Sequence, residues 1–125
     1  MQDTIYREII LDHYKNPQNY GVIKNADIDV SDLNPLCGDE IRITAKYKDN
    51  KISNIAFKSA GCAISKASAS LFTEVIKGKT VTEIQNIKPE DVIALLEVEL
   101  SPARTKCALL VYSTLQRGLT DGSSR

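Results

Sequence analysis

The sequence predicts an α+β fold, because a section with strand-like alternation is followed by a section with helical periodicity. Between residues 26 and 58, apolar and polar residues alternate, as in strands that bury one face. From residue 62 onward, apolar residues recur every three or four positions, as on the buried side of a helix. The length of 125 residues is ordinary for a single domain, so we expect one domain over residues 1–125.

The first predicted element is a helix over residues 4–14, in which Ile5, Ile9 and Ile10 have helical spacing. It is expected to end before Pro17, since the residue preceding a proline is disfavoured in the helical conformation.

Three predicted strands follow, at about residues 26–31, 41–47 and 54–58. The second and third flank the turn signal Asp49-Asn50. They predict an antiparallel hairpin whose loop has about four residues.

Four further helices are predicted in the second half of the chain. The first covers residues 62–78, a capping-box pattern starts the second at 80–83, and Pro89 starts the third. The fourth covers 101–118, and the polar end from about residue 119 is expected to be a loose tail. The inward-facing residues of the first are expected to be Ile64, Ala67, Leu71 and Val75.

Charge and composition argue against two classes of partner. Sixteen Lys and Arg balance sixteen Asp and Glu, so no basic excess is available to neutralise nucleic-acid phosphates. No apolar run approaches the roughly 18 residues that a membrane span needs. The first residues carry no basic stretch followed by an apolar block, so no secretory signal is visible, and a cytoplasmic location is expected.

The three cysteines, Cys37, Cys62 and Cys107, carry the chemistry of the sequence. An odd number is unusual for a secreted disulfide scaffold, and thiols stay free in a reducing cytosol. The cysteines lie 25 and 45 positions apart, so the compact C-x-x-C pairs of common zinc modules are missing. Any shared site must therefore be assembled by the tertiary fold.

The surroundings of the cysteines favour metal or sulfur chemistry. Cys37 and Asp39 share the Pro- and Gly-containing loop segment NPLCGD, which favours a tight loop. Cys62 follows Gly61 at a strand-to-helix junction, where the helix dipole favours a thiolate. Three thiolates and one carboxylate suit tetrahedral zinc, and soft thiolates also suit iron–sulfur clusters. An oxygen ligand is unusual for a permanently held cluster and is expected to ease its release.

Each of these residues also has an ordinary structural interpretation. Free Cys is among the most buried residue types, and this applies most strongly to Cys107 on its apolar helix. Asp39 alone suits a solvated turn. His13, the only histidine, suits a helix end as well as a metal role. Lys106 suits either a solvated helix face or a place beside the pocket, where it would pair with Asp39 or stabilise a persulfide.

At these residues the chain resembles the IscU/SufU/NifU-type family of iron–sulfur cluster assembly proteins. The resemblance covers about residues 4–118. It rests on four blocks in order, namely DHYKNPQNYG at 12–21, NPLCGD at 34–39, GCAISKAS at 61–68 and SPARTKC at 101–107.

The resemblance implies a SufE/NifU-like fold, a three-stranded antiparallel sheet packed against about five helices. It implies that a transient [2Fe–2S] cluster is built in one exposed site, with Zn²⁺ as an alternative occupant, and passed to iron–sulfur acceptor proteins. Sulfur would come as persulfide from a cysteine desulfurase to one of the three cysteines. The chain would be a carrier without a catalytic residue, and a homo-oligomer is among the alternatives. The implied ligands are Cys37, Asp39, Cys62 and Cys107, with Arg104 and Lys106 as supporting neighbours.

Two features divide the branches of this family. IscU-type scaffolds usually carry a His just before the third Cys, in a Leu-Pro-Pro-Val-Lys-type segment that a chaperone recognises. Here Lys106 stands in that place and residues 100–104 are LSPAR, so chaperone recognition is not predicted. The PARTKC segment resembles SufU, a zinc-binding sulfurtransferase branch. SufU-type proteins typically carry an extra segment between the second and third Cys, for which this chain has no room.

Overall fold

The computed structural model describes residues 2–35 and 38–123, with side chains described over 8–35 and 38–120. Leu36 and Cys37 lie outside the described residues. The α+β class is confirmed. In the described part of the chain one helix comes first, three strands follow it, and four more helices come after the strands. The elements are α1 (Gln2–Lys15), β1 (Ile28–Asn34), β2 (Asp39–Lys48), β3 (Lys51–Ala60), α2 (Ala63–Ile76), α3 (Val81–Gln85), α4 (Pro89–Leu96) and α5 (Pro102–Ser123).

The strands form one antiparallel sheet in the order β1-β2-β3. The predicted β2–β3 hairpin is confirmed, but its loop has two residues rather than about four, because Lys48 pairs with Lys51. Asp49 and Asn50 both have positive φ, +55° and +63°. This conformation matches the right-handed twist of the paired strands, and Asp and Asn tolerate it better than most residues.

One face of the sheet is covered by α2 and α5 and forms the main core. Ile43, Ile55 and Phe57 on that face are fully buried. Gly118 on α5 lies directly over β1, where an added Cβ would be 2.7 Å from Val30 Cγ1 and 3.2 Å from Ile28 Cγ2. The missing side chain therefore allows α5 to pack closely against the edge strand.

The inward face predicted for α2 is only partly right. Ala67 is buried, but Val75 is 39% exposed, and Phe72 and Ile76 are buried instead. The reason is that α2 contacts α1 and α4 as well as the sheet and α5, so a single apolar stripe does not describe its surroundings. The remaining buried positions of α2 are small and include Ser65, Ser68, Ala69, Ser70 and Thr73.

The last helix is longer than predicted. It continues past Gly118 to Ser123, and the Leu119 side chain is fully buried in the main core. The expectation of a loose tail from about residue 119 is therefore wrong for Leu119. None of the helices in the described part of the chain combines the length and apolar character needed to cross a membrane.

Candidate metal centre

Three of the four predicted ligands meet at one end of the sheet. Asp39 is the first residue of β2, Cys62 is the N-cap of α2, and Cys107 lies in the second turn of α5. One ligand atom from each residue lies within 4.8 Å of the other two. The fourth predicted ligand, Cys37, lies outside the described residues. It belongs to the β1–β2 connection, two positions before Asp39.

Asp39 is fully buried, which distinguishes it from a solvated turn residue. Its Oδ1 accepts a hydrogen bond from the backbone N–H of Cys62, at 2.7 Å. Its Oδ2 lies 3.2 Å from Cys62 Sγ, the thiol being the donor. Burying a carboxylate is costly unless it is hydrogen-bonded, and the N-terminus of α2 supplies both an amide donor and a favourable dipole.

Cys62 sits where the chain turns from extended to helical conformation. Its φ and ψ are −80° and 163°, and its own side chain makes no capping hydrogen bond to the helix. Ser65 donates to the Cys62 carbonyl at 3.1 Å, and its hydroxyl oxygen lies 4.0 Å from Cys62 Sγ. The half-buried Cys62 thiol therefore faces Asp39 rather than capping its own helix.

Cys107 is buried, with 1% of its surface exposed. Burial alone is what an ordinary core cysteine would show. What distinguishes Cys107 from an ordinary core cysteine is that its thiol lies within 4.8 Å of a buried carboxylate and a second thiol. The spacing of α2 and α5 here is fixed by a buried hydrogen bond of 2.6 Å from the Ser68 hydroxyl to the Ala108 carbonyl, one residue after Cys107.

The donor set fits a thiophilic metal. Tetrahedral zinc with bonds of about 2.0–2.3 Å needs ligand–ligand separations of about 3.3–3.8 Å. The 3.2 Å between Asp39 Oδ2 and Cys62 Sγ is already close to this range. A largest separation of at most 4.8 Å requires a contraction of about 1 Å when a metal binds. Two thiols and one carboxylate could therefore hold zinc or iron.

The other residues considered from the sequence lie outside this group. Arg104 and Lys106 are exposed on the first turns of α5. His13 Nδ1 lies 2.7 Å from the Ser70 hydroxyl, so the histidine joins α1 to α2. The sequence indicates Gly61 only as the neighbour of Cys62. Its position at a strand-to-helix junction, directly before a candidate ligand, was the available signal for a larger role.

Comparison with known proteins identifies the family. Residues 5–125 match the sequence profile of the NifU-like N terminal domain, and the chain belongs to this family. Zinc-dependent sulfurtransferase SufU of Bacillus subtilis strain 168 is 40% identical, over 94% of this chain and 90% of that protein. Iron-sulfur cluster assembly scaffold protein IscU 1 of Archaeoglobus fulgidus is 38% identical, over 94% of this chain and 76% of that protein.

A solved structure has the same fold. The crystal structure of FiSufU from Fervidobacterium islandicum AW-1, described as a candidate iron–sulfur cluster assembly scaffold protein for the SUF system, superposes with a TM-score of 0.79. The two sequences are 32% identical, over 93% of this chain and 97% of that one. The SufE/NifU-like fold inferred from the sequence is thus confirmed.

The two sequence alignments differ in their gaps. Each covers 94% of this chain, which is about 118 residues. The alignment with SufU spans 134 positions, so about 16 of them have no counterpart here. The alignment with IscU 1 spans 117 positions and needs almost no gap. Within the aligned region the chain therefore matches the scaffold protein with fewer gaps, whereas in identity it is slightly more similar to SufU.

Proposed function

We propose that this chain is an iron–sulfur cluster assembly scaffold. It accepts sulfur from a cysteine desulfurase, builds a labile [2Fe–2S] cluster on Cys37, Asp39, Cys62 and Cys107, and transfers the cluster to acceptor proteins. The observation that carries the proposal is the convergence of a fully buried carboxylate with two thiols from distant parts of the chain. The nearly gap-free alignment with a scaffold protein supports it.

Sulfur enters by thiol–persulfide exchange. A thiolate of this chain attacks the outer sulfur of the persulfide on the desulfurase, forming a new S–S bond. The bond between that sulfur and the desulfurase cysteine breaks, and the desulfurase cysteine leaves as a thiolate. Each transferred sulfur then needs two electrons from an external reductant to become sulfide. Of the two described thiols, Cys62 is half-buried and Cys107 is buried, so Cys62 is the more accessible acceptor.

The experiment is anaerobic reconstitution with iron, cysteine, a thiol reductant and a desulfurase. The proposal predicts a coloured protein with about one [2Fe–2S] cluster per site, and a Cys62→Ser variant that holds much less because a thiolate ligand has been removed. Ser113→Ala, which changes an exposed hydroxyl on α5, is the control and should match the wild type. Iron bound without acid-labile sulfide would contradict the proposal.

A second candidate is a SufU-like zinc sulfurtransferase. It is favoured by the 40% identity with Bacillus subtilis SufU and by the PARTKC segment at 102–107, which resembles that branch. Asp39, Cys62 and Cys107 would hold zinc, which acts as a Lewis acid and keeps its thiolate ligands deprotonated. This candidate predicts that the zinc-loaded protein strongly stimulates a cysteine desulfurase and carries persulfide on one cysteine. An unchanged desulfurase rate would exclude it.

The same chemistry supports a proposed cytoplasmic location. Metal binding and sulfur transfer both need reduced thiols, and the reducing cytoplasm maintains them.

A further inference from the structure

Gly61 is in closer contact with Asp39 than any side-chain-bearing residue could be. A Cβ at position 61 would lie 1.9 Å from Asp39 Oδ1, 2.6 Å from its Cγ and 2.8 Å from its Cα. All three separations are far below van der Waals contact. Because the Asp39 Cα is among these atoms, rotation of the Asp39 side chain alone would not relieve the overlap. The start of β2 would have to move as well.

The backbone of Gly61 imposes the same requirement independently. Its φ is +136°, a conformation that residues with a side chain rarely adopt. This conformation turns the chain from the end of β3 into the N-cap Cys62, so that the Cys62 N–H points at Asp39. Glycine is thus needed both for the turn and for the space that the carboxylate occupies.

The two carboxylate oxygens of Asp39 have different surroundings. Oδ1 is held by the backbone N–H of Cys62, a hydrogen bond that also satisfies one of the amides left unpaired at the start of α2. Oδ2 lies on the thiol side, 3.2 Å from Cys62 Sγ. The Cys62 side chain does not cap the helix, so β2 supplies the cap from outside.

We infer that Gly61 is a positioning residue that makes Asp39 a one-oxygen ligand, with Oδ1 fixed on the α2 N-terminus and Oδ2 presented to the metal. The inference rests on the proposed function only in requiring that a metal or cluster binds at Asp39, Cys62 and Cys107. It assigns Gly61 a role that acts entirely through Asp39. Displacing the carboxylate by a methyl group at position 61 is expected to weaken metal binding even though every ligand remains in the sequence.

The first test compares Gly61→Ala with Gly21→Ala by chelator competition for zinc, using reduced protein. Gly21 is a matched control, since its φ is +144° and a Cβ there would meet nothing within 4 Å. Both variants carry backbone strain, but only Gly61→Ala displaces Asp39. Gly61→Ala should lose about 10–100-fold in zinc affinity, the usual effect of removing a residue that orients a ligand. Gly21→Ala should keep wild-type affinity.

Wild-type zinc affinity in folded Gly61→Ala would overturn the inference. An equal loss of affinity in Gly21→Ala would also overturn it, because general backbone strain would then explain the effect.

The second test does not need Gly61→Ala to fold. Asp39→Asn keeps an oxygen for the Cys62 N–H but places an amide nitrogen toward the thiols, whereas Asp39→Ala removes both oxygens. The amide oxygen of Asn can accept the same hydrogen bond from the Cys62 N–H as the carboxylate oxygen does. The metal-free Asn variant should therefore melt near the wild type and above the Ala variant, while both lose zinc affinity. Glu40→Gln, which neutralises the adjacent exposed carboxylate, controls for charge and should bind zinc normally.

Wild-type zinc affinity in Asp39→Asn, or equal destabilisation of the Asn and Ala variants, would contradict the division of roles between the two oxygens. None of these measurements involves sulfur or a cluster. Failure of the inference is therefore separable from failure of the proposed scaffold function, which the reconstitution experiment tests.

Discussion

Asp39 differs chemically from its neighbours in the site, and this difference bears on how firmly the site holds its cargo. Thiolates are soft ligands that suit iron–sulfur clusters, whereas a carboxylate is a harder oxygen donor. A permanent cluster site would be expected to use a fourth thiolate. A buried carboxylate in that place suits a protein that must give the cluster away.

The first prediction concerns cluster release by Asp39→Ala. A cluster that does form in this variant should be transferred more slowly to an acceptor apoprotein, because the oxygen ligand that is expected to ease its release has been removed. The rate is measured by the change in visible absorption or circular dichroism as the cluster moves. Glu40→Ala, which removes the exposed neighbouring carboxylate, should transfer at the wild-type rate. Faster transfer by Asp39→Ala would contradict the role given to the oxygen ligand.

At the scale of residues, sequence chemistry picked out the candidate ligands but not the role inferred for Gly61. Thiols and a carboxylate are visible in a sequence because their chemistry is local. The role of Gly61 depends on a tertiary contact, the approach of Asp39 from a strand 22 positions earlier. Such a contact appears only when β2 and the α2 N-terminus are placed together.

At the scale of elements, the site depends on how α2 and α5 pack. Ser68 is buried on α2 and donates to the Ala108 carbonyl of α5 at 2.6 Å. The Ala108 carbonyl belongs to a helix that is itself anchored to the sheet. The bond therefore ties the α2 helix that begins at Cys62 to the turn of α5 that carries Cys107.

The second prediction is that Ser68→Ala lowers the free energy of unfolding by about 1 kcal/mol, since one buried hydrogen bond is lost. It should also weaken zinc binding by loosening the α2–α5 contact. Urea unfolding of the metal-free protein measures the first effect and chelator competition the second. Ser113→Ala, which removes an exposed hydroxyl bonded to carbonyls of its own helix, is the control and should change neither. An unchanged free energy of unfolding in Ser68→Ala would show that the hydrogen bond between Ser68 and Ala108 does not stabilise the contact between α2 and α5.

The third prediction concerns Gly118→Ala. Helix propensity alone favours Ala over Gly by about 1 kcal/mol. The new Cβ would however lie 2.7 Å from Val30 Cγ1, and β-branched side chains are stiff and cannot easily move aside. The overlap should outweigh the gain in helix propensity and lower the free energy of unfolding, measured in urea, by about 1–3 kcal/mol.

Adding Val30→Ala to Gly118→Ala makes room for the new methyl group. The cost of Gly118→Ala should then be much smaller in the Val30→Ala background than in the wild type. A stabilising Gly118→Ala would show that α5 does not pack on β1 as closely as described.

The elements themselves were largely predictable, and the errors have local causes. Alternation located the strands, and helical spacing together with the N-terminal signals at Thr80 and Pro89 located the helices in the part of the chain that the structure describes. The predicted β2–β3 loop is longer than the observed one, because Asp49 and Asn50 both adopt positive φ and so permit a tighter turn. The predicted end of α5 is too early, because a glycine such as Gly118 is typical of a helix end. In the structure Gly118 instead allows α5 to pack closely on β1.

At the scale of the whole molecule, the site joins residues that are far apart in sequence. Asp39, Cys62 and Cys107 come together only when the sheet, α2 and α5 are assembled. A metal that binds this arrangement and not the unfolded chain must stabilise the fold.

The fourth prediction is therefore that zinc raises the melting temperature. A metal excess of one hundred times the dissociation constant should add about 2.7 kcal/mol to the free energy of unfolding. Differential scanning calorimetry with and without zinc measures the shift. Cys107→Ser should abolish most of it, because a ligand is removed at nearly constant volume. A zinc-induced shift of wild-type size in Cys107→Ser would exclude Cys107 from the site.

The central claim is that the site holds an iron–sulfur cluster in transit, and metal and sulfide analysis of protein purified without oxygen tests it most directly. The scaffold function predicts iron and acid-labile sulfide in equal amounts, with a decrease in both after incubation with an acceptor apoprotein. Protein purified in air is unsuitable for this measurement, because thiolate sites take up zinc readily once iron is lost. Stoichiometric zinc without sulfide in the anaerobic protein would contradict the scaffold function.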